Sequence, residues 1–469
     1  MKKTVLLFSV FLFIESTKGN DSAKVLSLNN FLQIVKTFHP VAKQAAIQVD
    51  KANAGLVIAK SGFDPVLGSN AGNKTFDGIN YYQSNNTQIT IPTWYGIEIK
   101  TGIEYLTGNR TDSRETLGKT SYAGISIPVA KNLLIDKRRA VLQQAKIMIA
   151  ASEQEKRVLL NDLMMEATNA YWQWVQSYFI YTTYNDVIEL NKKRVRLVVG
   201  AYQNGDRPAI DTTEAVAQLQ NFEYQQNDAL LDWQNAGVLL NTFLWKQNSE
   251  AYELPGDVLP DKNREQLYDA VIFPELEKII ADAKRMHPEL NIYTYKLNAL
   301  DVERKLKFQE LLPKIDLKYN QLGKGYDIAS TATKTLFDNN YSFGINFSVP
   351  LRLSQGRGEY KMAKLKITET RLQQSQKEID IINKVKNYYN RLVNYKAQVN
   401  LLQKTYAGYL RLQKGEETKF FNGESSLFLV NSRENKTLET LLKLTETTIK
   451  YNKTSLGLQW AAGQLWQFP

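Results

Sequence analysis

The chain has 469 residues, a formal net charge of +11 and no cysteine. Without cysteine it has no disulfide, no thiolate metal site and no lipidated cysteine anchor. A net positive charge favours binding to nucleic acid or to an anionic membrane surface. Here, however, acidic and basic residues are interleaved along most of the chain, as on solvated helix faces. Since no aromatic-basic recognition motif accompanies the charge, we expect no nucleic-acid partner.

The N-terminus has the layout of an export signal. Lys2 and Lys3 precede an apolar run from Val5 to Ile14, and small and polar residues follow. This run is too short to span a bilayer, so we interpret residues 1–19 as a signal peptide. No later stretch approaches eighteen consecutive apolar residues, and the mature chain is therefore predicted to have no transmembrane helix.

The next feature along the chain is a duplication. The two histidines, His39 and His287, each open a His-Pro pair, and the proline of each pair lies 25 residues before another proline, Pro65 or Pro313. These two motifs superpose at an offset of 248 residues. Later pairs superpose at an offset of 218 residues and include Arg139/Arg357, Lys146/Lys364, Tyr171/Tyr389 and Gly205/Gly423. The pattern indicates a duplicated unit.

The duplication predicts two structural repeats, 20–248 and 287–469, joined by an irregular equatorial linker at 249–286. Proline suits the first turn of a helix, so each His-Pro pair is expected to start a helix of about 25 residues, and the later proline to mark its exit. Metal binding by the histidines is disfavoured, because no ligand partner lies at suitable spacing beside either one. We expect neither a metal nor a cofactor.

Long proline-free stretches lie between Pro128 and Pro208 and between Pro350 and Pro469. Because an interior proline costs about 3 kcal/mol, such stretches permit long helices, and their apolar residues recur at spacings of three and four, as in a helix–helix seam. A helix of ~65 residues is about 100 Å long, which predicts an elongated molecule. The aromatic run 171–179 falls at helical spacing and is predicted to pack between helices rather than to stack a ligand.

Between the helices the apolar pattern changes to period two, within β regions at about 64–130 and 313–350. Four segments alternate in this way: 95–105, 122–128, 313–320 and 341–350. The remaining stretch 65–92 has two interpretations, as a lengthening of the first hairpin or as an extra β element at its base.

Each alternating segment has one apolar and one polar face, which fits two kinds of sheet. In a water-soluble sheet the apolar face covers a core. In an outer-membrane barrel it contacts lipid while the polar face lines water, and closed edges would then require several copies of four strands. The lipid-facing candidates are Tyr95, Ile97, Ile99, Tyr341, Phe343 and Phe347, and the lumen-facing candidates are Glu98, Lys100, Glu104, Lys314 and Lys318.

Asn-Gly pairs predict sharp reversals at the far ends of the long helices. A turn without further function is the simplest interpretation. Acidic and basic residues around both turns permit a second interpretation, in which ion pairs hold this end of the molecule, the tip, closed and a partner protein contacts it. An exposed ion pair contributes only about 0–1 kcal/mol to stability. The candidate tip residues are Asn204, Gly205, Asp206, Arg207, Asp211, Asn422, Gly423, Glu424 and Arg433.

The duplicated order of helix, β-hairpin, long helix, glycine turn and helix resembles the TolC-type outer-membrane factor family of bacterial efflux and export channels. The likeness covers nearly the whole mature chain. Each motif alone is weak, and their duplicated order is what carries the resemblance. The motifs are the two His-Pro openings, the hairpin exits at Pro128 and Pro350, the helix starts at Arg139 and Arg357, and the tips at Gly205 and Gly423.

The resemblance implies a mainly α fold with β: a duplicated long-helix coiled-coil α-barrel plus a 12-stranded trimeric transmembrane β-barrel, with about four strands per chain. It also implies a homotrimer in the bacterial outer membrane that contacts outer-membrane lipid and extends into the periplasm. The implied partners are a periplasmic adaptor protein and an inner-membrane pump or ABC exporter. The implied function is the passive exit duct of a tripartite efflux or type I secretion system.

Two features depart from the family pattern. Where the family usually carries a short apolar residue after the tip glycine, this chain has Asp206 and Glu424. Its first β region is also longer than its second.

Two other classes of function are weighed against a channel. An enzyme is not expected, because no nucleophile with a histidine base, no phosphate-binding loop and no metal cluster is apparent in the sequence. The stronger alternative is an exported, elongated coiled-coil scaffold or adhesin whose short sheets are soluble. That alternative needs neither lipid-facing strands nor closure by several copies.

Overall fold

The structure is a computed structural model that describes residues 24–112, 115–261 and 275–468. The predicted signal peptide and residues 262–274 of the predicted linker lie outside the described residues. The helices are α1 (Leu28–Phe38), α2 (Pro40–Ser61), α3 (Lys137–Gln203), α4 (Ala209–Asn241), α5 (Leu276–Met286), α6 (Pro288–Gln309), α7 (Ile328–Ala332), α8 (Ser354–Phe421) and α9 (Leu427–Ala461). The strands are β1 (Lys24–Leu26), β2 (Val66–Phe76), β3 (Ile79–Pro92), β4 (Glu98–Thr107), β5 (Gly118–Pro128), β6 (Val258–Pro260), β7 (Lys314–Lys324) and β8 (Tyr341–Ser348).

The two halves of the chain repeat one order of helices with nearly equal lengths. Helices α1 and α5 have 11 residues each, α2 and α6 have 22 each, and α3 and α8 have 67 and 68. The second repeat therefore begins with α5 at Leu276, and the prediction of an irregular linker up to residue 286 is wrong there. Leu276, Ile279 and Ile280 recur at helical spacing and pack against the core around α8.

Each histidine caps the helix that its proline begins. His39 and His287 have extended backbones, with φ/ψ of −62°/136° and −60°/124°, as steric contact with a following proline requires. Nδ1 of His39 accepts a hydrogen bond from the Val41 N–H at 3.2 Å, and Nδ1 of His287 accepts one from the Glu289 N–H at 3.2 Å. The prediction that each His-Pro pair starts a helix is confirmed.

Each histidine also lies beside the end of the last helix of its repeat. The backbone of Thr242, which caps α4, acts to raise the pKa of His39, and the backbone of Ala461, the last residue of α9, does the same for His287, but in both cases burial is the larger effect and lowers the pKa. Because Nδ1 of each imidazole accepts a hydrogen bond from a backbone N–H, each cap requires the neutral form.

The long helices form a shaft. Helices α3 and α8 are each about 100 Å long at 1.5 Å per residue; α3 packs against α4, α2 and α6, and α8 packs against α9 and α6. The largest buried cluster joins α1, α3, α4 and α9 near the equator, where Tyr171, Trp174 and Phe179 are all buried. The predicted interhelical packing of this aromatic run is confirmed.

Six strands form one antiparallel sheet in the order β2-β3-β4-β5-β7-β8. The four predicted strands correspond to β4, β5, β7 and β8, which are contiguous. The stretch 65–92, whose role the sequence left open, forms a further hairpin, β2–β3, so that the sheet has six strands rather than about four. Its two-residue turn is Asp77-Gly78, with φ of 51° and 74°, a combination typical of tight hairpins.

Within the described ranges, the helices are either too short or too polar to cross a bilayer. A separate two-stranded parallel sheet, β1 with β6, lies at the equator and is joined to α3 by a hydrogen bond from the Tyr171 hydroxyl to the Leu26 carbonyl at 2.9 Å.

The histidine caps predict a loss of stability in acid. Burial is the main cause that lowers the pKa of His287 from 6.5 to about 4, with Lys384 and Lys377 acting in the same direction and Glu289 in the opposite one. Between these pH values the unfolded chain binds the proton that the folded chain excludes. The cap's contribution is therefore complete above pH 6.5 and decreases as the pH falls towards 4, by about 3 kcal/mol in total.

We expect His287→Asn to flatten this pH dependence, because asparagine caps a helix without titrating. Thermal unfolding of the detergent-extracted protein, followed by circular dichroism from pH 7.5 to 4, measures the slope. Parallel slopes for the parent protein and the variant would contradict the assignment of the acid sensitivity to His287.

Candidate functional site

The five predicted lumen-facing residues share one face of the sheet. Glu98, Lys100 and Glu104 alternate along β4, and the register carries their face across β5 to Lys318 and Lys314 on β7, since Ser126 lies opposite both Glu98 and Lys318. Three of them, Glu98, Lys100 and Lys314, belong to ion pairs at the base of the sheet. The pairs are Arg138–Glu98 at 3.0 Å, Lys100–Glu98 at 3.5 Å and Lys314–Asp316 at 3.4 Å.

The opposite face of the sheet is apolar. It carries Ile99 on β4, Ile125 on β5 and Ile345 on β8, with exposed fractions of 40%, 40% and 59%. The predicted lipid-facing Tyr341, Phe343 and Phe347 lie on this face and are 48–65% exposed. A broad apolar surface is thus left uncovered by the chain itself.

Two predicted lipid-facing residues lie outside the strand. Tyr95 and Ile97 belong to the turn between β3 and β4, because β4 begins at Glu98 and Gly96 has a φ of +85°. The turn is closed by a hydrogen bond from the Thr93 N–H to the Ile97 carbonyl at 2.9 Å. The prediction that these two residues belong to a spanning strand is wrong, since the positive φ at Gly96 interrupts the extended chain.

Both tips end their long helices in the same glycine motif. Gly205 and Gly423 have φ of +84° and +80°, and the next residues close the turn: the Asp206 N–H donates to the Ala201 carbonyl and the Glu424 N–H to the Lys419 carbonyl, at 2.9 and 2.8 Å. This is a Schellman motif, in which the residue after the glycine usually makes an apolar contact. Here that position holds an exposed carboxylate in both tips.

Arg207 connects the first tip to the second. Its Nη2 donates to the Phe420 carbonyl at 2.6 Å, and its guanidinium lies 4.0 Å from the centroid of the Phe420 ring. Asp211 is 3.8 Å from Arg207, within the same tip. Arg433 makes no ion pair with the residues that the structure describes. Closure of the tip by ion pairs stays a prediction.

A buried ion pair below the tips was missed from the sequence. Nη1 of Arg194 on α3 lies 2.7 Å from Oε2 of Glu434 on α9, and the two side chains are only 12% and 4% exposed. Nη2 of Arg194 also lies 3.3 Å from Glu417 on α8, and Nδ2 of Asn191 lies 3.2 Å from both oxygens of Glu434.

This network, which we call the Arg194 cluster (Asn191, Arg194, Glu417, Glu434), holds α3 against α8 and α9 of the second repeat. In the sequence Arg194 stands within the basic run 192–196, which reads as a solvated face. A signal was nevertheless present, because Arg194 lies on the helix face of Asn191 and Val198, both of which are buried.

No protein-family profile and no curated protein matches the sequence. Solved structures do match. The CmeC outer-membrane channel of Campylobacter jejuni has 16% identity and a TM-score of 0.61, over 93% of this chain and 86% of that one.

Two further structures match equally broadly. The outer-membrane protein VceC of Vibrio cholerae has 14% identity and a TM-score of 0.63, over 93% of this chain and 96% of its own. The open state of the MtrE outer-membrane channel of Neisseria gonorrhoeae has 12% identity and a TM-score of 0.64, over 93% and 89%. The duplicated helical shaft with its sheet at one end is therefore the TolC-type outer-membrane factor fold.

Proposed function

We propose that this protein is a bacterial outer-membrane channel: the exit duct of a tripartite efflux or type I secretion system, formed by a homotrimer that extends into the periplasm. The duct is passive, and an inner-membrane pump or ABC exporter supplies the energy through a periplasmic adaptor. The observation that carries the proposal is the uncovered apolar face of the sheet, at one end of helices about 100 Å long.

The two faces of the sheet support a position in a bilayer. Hydrocarbon would cover Ile99, Ile125 and Ile345, which the chain leaves 40–59% exposed, and water in the pore would solvate the face of Glu98 and Lys100. A soluble scaffold would instead leave this apolar surface in water, at about 25 cal/mol for each Å². Titratable groups on the polar face have both signs, which favours a pore without strong ion selectivity.

The tip supports a role as the gate. Opening by an iris-like movement would separate α3 from α8 and α9, and the Arg194 cluster lies across that boundary. A buried pair that loses one partner typically costs about 3–5 kcal/mol, so the cluster would hold the tip closed until a partner compensates. The carboxylates of Asp206 and Glu424 are exposed at the outermost turn and would meet an adaptor with a basic or amide-rich contact surface.

Localisation and assembly test the proposal directly. We expect the protein in the detergent-extracted outer-membrane fraction, as a trimer that dissociates on heating. Recovery as a monomer in the soluble periplasm would instead support the scaffold or adhesin alternative.

A pair of substitutions on one strand tests which face contacts lipid. Ile345 and Asn346 are adjacent on β8, point to opposite faces and are both exposed. We expect Ile345→Lys to reduce the amount of assembled outer-membrane trimer, because lysine near a bilayer midplane costs about 2–4 kcal/mol. Asn346→Lys, the matched control, should assemble normally. Equal tolerance of both changes, measured by membrane fractionation and heat-modified electrophoresis, would favour a soluble sheet.

A second pair tests the gate. We expect Arg194→Met to raise single-channel conductance in planar bilayers, because it leaves Glu434 buried without its cation and so destabilises the closed tip. Arg433→Met is the matched control. It removes an equal charge from the same region but breaks no ion pair among the described residues, so it should leave the conductance unchanged.

The exchange Arg194→Glu with Glu434→Arg should return the conductance towards the parent value, since it restores opposite charges across the same boundary. If Arg194→Met and Arg433→Met gave the same conductance as the parent protein, the cluster would not be the gate.

A further inference from the structure

The feature that the family resemblance leaves unexplained is the hairpin β2–β3. It precedes the four strands that the resemblance implies and adds 27 residues, Val66–Pro92, to the first repeat. Strand β3 pairs with β4 through ten consecutive residue pairs, from Gln83 opposite Thr107 to Pro92 opposite Glu98. The hairpin is therefore continuous with the sheet, and its own β2–β3 pairing shifts register once, between Lys74 and Thr75.

The turn between β3 and β4 is anchored to the helical shaft. Trp94 stacks on Phe63, which follows α2, with ring centroids 4.1 Å apart and an interplanar angle of 20°. Arg139, in the first turn of α3, donates from Nη1 to the Tyr95 carbonyl at 3.4 Å. This turn thus rests on the helix ends that flank the first β region, on the same side of the sheet as its other helix connections.

A tyrosine on the polar face joins the hairpin to the rest of the sheet. The Tyr122 side chain on β5 crosses β4 at Gly102, and its hydroxyl lies 3.0 Å from Oδ1 of Asn86 and 3.1 Å from Oε1 of Gln88 on β3. A Cβ at Gly102 would lie 2.8 Å from the Tyr122 hydroxyl and 2.5 Å from the Thr87 carbonyl oxygen. The crossing therefore requires glycine at position 102.

The hairpin also continues the apolar face. Through the register, Leu67 on β2 lies opposite Ile89, and Ile91 on β3 lies opposite Ile99. From Ile89 towards the hairpin turn, the same face of β3 becomes polar, beginning with Thr87. Strand β3 has 14 residues, about 46 Å of extended chain, so its far part would extend beyond a lipid-facing band about 25 Å tall.

The edges of the sheet indicate what lies beside it. In the described chain, β2 and β8 are the outer strands and each is paired on one side only. Strand β8, YSFGINFS, has no charge and no proline, and β2 has a single lysine, Lys74. Soluble proteins protect exposed edges with charges, prolines or bulges. The register of β2 against β3 shifts once, between Lys74 and Thr75 near the hairpin turn, and the rest of both edge strands has no such protection. Because all six strands alternate in direction, β2 and β8 are antiparallel and suited to pair between copies.

We propose that β2 of each copy pairs with β8 of the next, so that all six strands of each chain enter the barrel wall. This rests on the trimer proposed above, and three copies of six strands make an eighteen-stranded barrel. Barrel diameter grows roughly linearly with strand number, and barrels of 16–18 strands enclose an aqueous channel. The occupant of each sheet edge is thus a second copy of this chain, and the added hairpin widens the outer mouth of the duct.

Cysteine cross-linking tests the pairing, since the parent chain has no cysteine. Ser69→Cys on β2 is combined in turn with Phe343→Cys, Ile345→Cys and Phe347→Cys on β8, which share its face. After oxidation in outer membranes, we expect at least one combination to give disulfide-linked dimers and trimers. The comparison set combines Thr101→Cys on β4 with the same three positions, because a barrel of four strands per chain would place β4 beside β8 of the next copy.

Linkage through β4 but not β2 would overturn the proposal, and so would an intrachain β2–β8 disulfide, which indicates a sheet closed on itself. If the variants are trimeric before oxidation and neither the β2–β8 nor the β4–β8 cysteine pairs form intermolecular disulfides, the proposed pairing is also overturned. The parent protein, which has no cysteine, separates failure of the β2–β8 pairing from failure of the proposed function. If the protein were not a channel, the parent would not form a trimer in the outer membrane.

A glycine pair supplies an independent measurement. Gly102→Ala in the linked β2–β8 variant should lower the cross-linking yield several-fold, because the added methyl displaces Tyr122 and loosens the hairpin. Gly68→Ala on β2 lies on the same face with no heavy atom within 4 Å of the new Cβ, and should leave the yield unchanged. Equal yields for the two alanine variants would show that the Tyr122 crossing does not hold β3 in the wall.

Discussion

The constraint on which the structure depends is that backbone N–H and C=O groups in hydrocarbon must all be paired. A sheet with one apolar face and two open edges would satisfy this condition in a barrel that other copies close, as proposed above. The same sheet is joined to the shaft through helix ends on one side, at Ser61 and Lys137 in the first repeat and at Gln309 and Ser354 in the second. A closed ring of such sheets would therefore be continuous with a ring of long helices, which is the physical basis of a duct.

The shaft is most firmly packed near its equator. There the apolar core includes several aromatic side chains, and each histidine caps a helix start by accepting a backbone hydrogen bond at Nδ1. These caps operate only in the neutral form, since protonation removes the acceptor at Nδ1. The equator is therefore the part of the molecule where burial, capping and protonation state depend on one another.

The tips are built differently. A small apolar core joins Val198 and Ala215 of the first repeat to Phe420, Leu427 and Val430 of the second, and the polar Arg194 cluster adds an ionic contact between the repeats. A region with less apolar burial and a larger share of ionic contact opens at a lower free-energy cost than a well-packed core. Arg207 adds a second contact between the repeats, because its guanidinium donates a hydrogen bond to the Phe420 carbonyl in the neighbouring tip. The division of the shaft into a packed equator and a polar tip is consistent with movement confined to one end.

The sequence by itself determined the features that depend on short separations along the chain. Proline placement and helical periodicity predicted the long helices, the His-Pro pairs predicted two helix starts, the glycines predicted the tips, and period-two alternation predicted the faces of four strands. Helix α5 was not recognised, although it has apolar residues at helical spacing. The stretch 65–92 was left open between two β interpretations, although its Asp-Gly turn indicates a hairpin. The hairpin lacks a clear alternation because much of it is polar on both faces.

Only the tertiary structure decided which distant residues meet. Arg194 and Glu434 are separated by 240 residues, and neither looks buried in the sequence; their pairing follows from how α3 packs against α9. The same holds for Tyr122, whose hydroxyl reaches β3 because β4 has a glycine at the crossing point. Local periodicity sets which face a side chain occupies, whereas its partner depends on the register and packing of elements far apart in the chain, which no local pattern encodes.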